Sequence, residues 1–177
     1  MVENGLKIQN SLNMLEKVYV SILLVIFGGI VLHAPISVGL GTLFPDYSLL
    51  IKSWKEILMV IAGLIVLALL YRKKRFKLLR DPLIVVIGLY GLLHVLLALF
   101  LFDYLNINQI LAGLAIDLRY ILFFSLVYLA IKLYPKYYKL FIKVGVIGAF
   151  VVFVFALLQV FVLPSDILKY IGYNKDT

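Results

Sequence analysis

The sequence predicts an all-α integral membrane protein with five transmembrane helices, its N-terminus cytoplasmic and its C-terminus extracytoplasmic. Three observations predict it. Of the 177 residues 64% are hydrophobic, and the mean hydropathy is +1.10, outside the range of a soluble globular chain. The apolar residues gather in continuous runs near the roughly 20 residues that cross a ~30 Å hydrocarbon core, without the period-two alternation of a β-barrel. The cations divide unevenly between the loops, as they do in helical membrane proteins.

The first span covers residues 18–39. Lys17 ahead of an apolar run resembles the start of a secretory signal, but the run continues to Leu43 without a small-x-small cleavage site, so this is a retained helix. Pro35 lies in its outer part, where the helix is expected to kink or end. The second span, 54–71, is bounded by Trp54 and Tyr71 at interface positions. The third, 82–102, opens with Asp81 as N-cap and Pro82 as first helical residue. The fourth, 111–133, stops before Pro135, and the fifth, 140–163, is closed by Pro164. No repeat or low-complexity linker divides the chain, which reads as a single membrane domain over 1–177.

With the N-terminus inside, the inner segments carry twelve cations: Lys7, Lys17, the cluster Arg72, Lys73, Lys74, Arg75, Lys77 and Arg80, and Lys132, Lys136, Lys139 and Lys143. The outer segments carry four: Lys52, Lys55, Lys169 and Lys175. This asymmetry fixes the expected orientation. It also explains the net charge of +8 through anionic headgroups rather than nucleic acid. The expected location is a membrane that the chain crosses several times, with membrane lipids as the first partners.

"LAGLAIDLRYILFF" places Asp117 and Arg119 inside the fourth run. Residues two apart on a helix point about 200° from each other, so the two charges cannot neutralise one another on one face. Twelve residues separate Arg119 from Lys132, roughly 18 Å of helix against a ~30 Å crossing. Both charges are therefore drawn below the outer surface, by about 5–10 Å. Company is expected from "IKSWKEIL": Lys52 and Glu56 can pair four residues apart, Lys55 can face Asp117, and Glu56 can alternatively meet Arg119. Two readings stay open. The charges form an interhelical network that fixes packing, or they line an outward-facing polar cavity where Arg119 meets an anion.

No catalytic residue and no cofactor can be assigned. The chain has no cysteine, and HExxH, GxSxG and phosphate-loop motifs are absent. Asp117 beside an arginine is expected to stay ionised and structural. His33 and His94 lie on separate helices without a carboxylate cluster, so no metal site is expected, and each reads as a hydrogen-bonded bundle residue. Gln159 is expected to bond across helices. Gly28 with Gly29, Gly88 with Gly91, and Gly145 with Gly148 are expected to admit close helix packing. Tyr134, Tyr137 and Tyr138 among lysines read as an interface belt.

The order of features carries a resemblance. "FPDYSLLIKSWKEILMVIAGLI" leads through a basic loop to "RDPLIVVIGLYGLLHVL", then to "LAGLAIDLRYILFFSLVYL", "YPKYYKLFIKV" and "FALLQVFVLPSDILKYIGYNKDT". This resembles the amino-terminal part of the bacterial O-antigen ligase and O-antigen polymerase family of membrane glycosyltransferases. The resemblance implies transfer of a glycan from an undecaprenyl-diphosphate carrier at the outer face of the inner membrane. It further implies that the main catalytic half lies beyond this portion, in a C-terminal half or partner membrane subunit, so that the chain alone is inactive. On that footing Arg119, with Lys55, is expected to contact the lipid diphosphate, supported by Asp117, Glu56 and Lys52. The competing expectation is a complete five-helix membrane protein without enzymatic chemistry: an accessory subunit, scaffold or small transporter component.

Overall fold

The computed structural model describes residues 2–101 and 106–163, with the side chains of 2–11, 34 and 49 left aside. Among the described residues every regular element is helical: α1 (Val2–Leu43), α2 (Ser48–Arg72), α3 (Pro82–Phe100), α4 (Ile107–Leu133) and α5 (Tyr138–Phe161), joined by short 3-10 turns. Each contains a stretch long and apolar enough to cross a membrane. Phe102, Pro164, Lys169 and Lys175 lie outside the described residues.

Helix ends differ from expectation where polar residues extend them. α1 runs through Pro35 to Leu43 instead of ending there; proline removes one N–H donor, and the flanking turns still close their own bonds. α4 starts at Ile107, not 111, because Asn106 and Gln109 form a capping box. The Asn106 side chain accepts from the Asn108 N–H at 3.3 Å, and Gln109 Oε1 accepts from the Asn106 N–H at 3.2 Å. At α3 the expected cap is present: Asp81 Oδ1 accepts from the Leu83 N–H at 3.1 Å, with Pro82 following.

The described chain groups into two compact units, Met1–Tyr19 with Met59–Pro135, and Val20–Leu58 with Lys136–Thr177. In the first, buried Met59, Ala62, Val66, Leu69 and Leu70 form one stripe of α2, and Leu126, Leu129, Ala130 and Leu133 one stripe of α4, each at helical spacing. Tyr19 is fully buried, and its hydroxyl donates to the Leu126 carbonyl at 2.6 Å. Tyr134 is buried as well, with the Lys73 ammonium 4.1 Å from its ring centre. α3 packs against α4 and buries none of its own side chains.

In the second unit α5 lies close to α1 at two glycines. A Cβ at Gly148 would stand 3.1 Å from Val31 Cγ2, and one at Gly145 3.2 Å from the Phe27 ring. Gly28 and Gly29 also have neighbours at contact distance, while a Cβ at Gly88 would meet nothing within 4 Å. Gln159 is exposed on α5 and makes no hydrogen bond among the described residues, so the expected cross-helix bond is not formed there.

Candidate functional site

The face of α3 turned to α4 is a stripe of Leu83, Ile87, Tyr90, His94, Leu97 and Leu101, and α4 answers with Ile110, Leu114, Asp117, Ile121 and Phe124. Both sets fall within a narrow arc at 100° per residue, so they border one seam. The seam opens into two cavities. One, about 310 Å³, is lined by His94, Gln109 and Asp117 among apolar side chains. The other, about 460 Å³, is lined by Tyr90, Tyr120 and Phe124 with aliphatic neighbours. Tyr90 and His94, their ring centres 4.3 Å apart, stand side by side where the cavities follow one another along α3.

Asp117 is exposed within the first cavity and makes no hydrogen bond or ion pair to another described residue. His94 Nδ1 lies 3.0 Å from the Tyr90 carbonyl. A carbonyl only accepts, so Nδ1 carries the hydrogen of this bond and Nε2 is the nitrogen not engaged by it.

Arg119 is half-buried on the opposite side of α4 from Asp117, as the two-residue offset requires. Its Nη2 donates to the hydroxyl of Tyr120 at 3.0 Å, with the guanidinium 4.8 Å from that ring's centre. Tyr120 itself lines the larger cavity, so Arg119 is tied to the rim of the seam. This contact went unread in the sequence, although "RY" places the two side by side; only the folded rotamers bring hydroxyl and guanidinium together.

Lys52, Lys55 and Glu56 belong to the other unit. Lys52 is exposed. The Lys55 side chain is only 11% exposed, and its ammonium lies 4.0 Å from Glu56 Oε1. Glu56 thus has its neighbour Lys55 within reach, a contact that the sequence reading, which offered Lys52 or alternatively Arg119, did not name. In the same unit Trp54 Nε1–H of α2 donates to His33 Nδ1 of α1 at 3.0 Å, and the Ser37 hydroxyl lies 3.0 Å from the same nitrogen. His33 is the hydrogen-bonded bundle residue that the sequence suggested.

At the basic end of the first unit Asp81 does more than cap α3. Lys132 Nζ lies 3.5 Å from Asp81 Oδ2 and 5.2 Å from the centre of the Tyr128 ring. Hydrogen bonding to Tyr128 above all, then the Leu83 N–H and the Lys132 charge, hold the Asp81 carboxyl below its ordinary value, against a smaller opposing effect of desolvation. Among the described residues no three of His, Asp and Glu gather as a metal ion would need.

No protein-family model matches the chain, nor does any curated protein or solved structure.

Proposed function

We propose that this chain is the membrane portion of a glycosyltransferase of the O-antigen ligase or O-antigen polymerase type. It takes an undecaprenyl-diphosphate-linked glycan at the outer face of the bacterial inner membrane. The observation that carries this reading is Arg119, a permanent cation within an apolar span, held at the rim of a seam by Tyr120. The planar fork of a guanidinium suits two oxygens of a diphosphate at once. The lysine and arginine counts support an N-in orientation, which lays this level beneath the outer membrane surface.

In such a transfer the glycosidic bond to the carrier breaks, a new one forms to the acceptor oxygen, and the diphosphate leaves with the lipid. A cation at the diphosphate stabilises that leaving group. Activation of the acceptor hydroxyl falls to a C-terminal half or a partner membrane subunit. The test is Arg119→Lys in cells whose surface glycan depends on the protein. We expect transfer to fall by about tenfold or more at an unchanged membrane level of the protein, since a point charge replaces the fork. Unchanged transfer would remove Arg119 from the site.

A second reading draws on one observation. α3 buries none of its side chains and α5 only Phe141 among the described residues, leaving long apolar faces that suit partner helices as well as lipid. A five-helix accessory subunit, scaffold or small transporter component would use them. A stable, defined complex formed by the 177-residue chain alone on blue-native gels would favour it.

A further inference from the structure

We infer that the seam between α3 and α4 is a binding site for a membrane lipid with an uncharged, hydroxyl-bearing headgroup, held by His94 Nε2 and the Asp117 carboxylate. This site is separate from the diphosphate contact of Arg119 and stands or falls without it.

The chemistry of the lining selects the ligand. The polar cavity is bordered by the Asp117 carboxylate, which has no partner among the described residues, and by His94, whose Nδ1 is engaged by the Tyr90 carbonyl so that Nε2 is the ring nitrogen left for a ligand. The Gln109 carbonyl oxygen, bound to the Asn106 N–H, keeps a second lone pair. A set of acceptors is complementary to hydroxyl donors. It opposes a phosphate, which would bring a second negative charge against Asp117 in a medium of low polarity. Among the described residues no three of His, Asp and Glu gather there as a metal ion would need.

The shape selects a lipid. Next along α3, towards its start, comes the larger cavity, whose lining is almost wholly apolar: Leu83, Val86, Ile87, Ile121 and Phe124 beside Tyr90 and Tyr120. An amphiphile fits this gradient with its head at His94 and Asp117 and its chain along Tyr90 towards Leu83. The cavities, about 310 and 460 Å³, fall within the ~300–1,000 Å³ of ligand pockets. Polar residues inside a span call for such an occupant, since hydrocarbon alone leaves them unsolvated.

The imidazoles themselves report occupancy, because the chain contains just two histidines. With the full chain in phosphatidylcholine nanodiscs and its histidines labelled with ¹⁵N, hexyl β-glucoside is titrated against hexyl phosphate and hexyltrimethylammonium. We expect the glucoside to move the His94 Nε2 resonance saturably while His33 stays fixed, and the two charged probes to move neither. Asp117→Ala should weaken the glucoside's apparent affinity about tenfold, the loss of one hydrogen bond to a charged acceptor. The unliganded His94 tautomer checks that the variant is folded. A His94 signal indifferent to the glucoside, or moved equally by either charged probe, would overturn the inference. A response to the phosphate alone would do so while leaving a lipid-phosphate reading of the protein intact.

Discussion

His33 and His94 engage Nδ1 in opposite senses, each for a reason visible in its neighbour. Trp54 can only donate, so His33 Nδ1 must accept; the Tyr90 carbonyl can only accept, so His94 Nδ1 must donate. Sequence shows both as histidines inside apolar helices. It cannot show which nitrogen is engaged, because that depends on atoms 21 residues away in one case and on a rotamer in the other. Asp81 was legible as a cap, and its second bond, to Lys132, was not, because the partner lies on another helix. Its lowered carboxyl has a consequence for pH. The ionised form is favoured by the fold, so its contribution to stability is present above the ordinary carboxylate range and is lost as pH falls through the lowered value. Asn also caps helices but carries no charge. Asp81→Asn is therefore expected to flatten the loss of thermal stability between about pH 6 and pH 3 in detergent micelles; identical pH profiles would separate Asp81 from that loss.

Among the helices, α3 was the most readable, since Asp81-Pro82 marks its start; the end of α2 was read to within one residue at Arg72, but its start at Ser48 lies six residues before the expected 54. The α4 start was missed because "NINQ" counts as polar in a hydropathy profile. Its capping box supplies the hydrogen bonds that let helix continue through it. The glycine pairs were readable as a class but not singly. Gly145 and Gly148 meet α1 side chains, whereas Gly88 faces open space; spacing on one helix does not reveal what stands opposite. The contrast can be measured by unfolding in micelles. Gly148→Leu should destabilise by about 1–3 kcal/mol, through overpacking against Val31. Gly88→Ala should stabilise by roughly 0.5–1 kcal/mol, the helix propensity difference alone. Equal effects at the two positions would deny the close approach of α5 to α1.

For the whole molecule, five helices follow directly from hydropathy, because a ~30 Å core imposes a length on every crossing and the five described helices meet it. The polar level inside α4 was equally plain, since Asp117 and Arg119 interrupt an apolar run. What each charge meets was not. Arg119 turned out to be tied to Tyr120, and Asp117 to border a cavity with His94, arrangements that depend on how α3 and α4 pack. In the roles proposed above the two charges divide the work on opposite sides of α4: an anion contact at Arg119 and a hydroxyl contact at Asp117. Native mass spectrometry of the chain released from nanodiscs containing undecaprenyl diphosphate and undecaprenol tests the anion contact most directly. The account predicts retention of the diphosphate over the alcohol, with a loss of about tenfold or more in Arg119→Ala. Equal retention of the two lipids, or a preference untouched by Arg119→Ala, would contradict it.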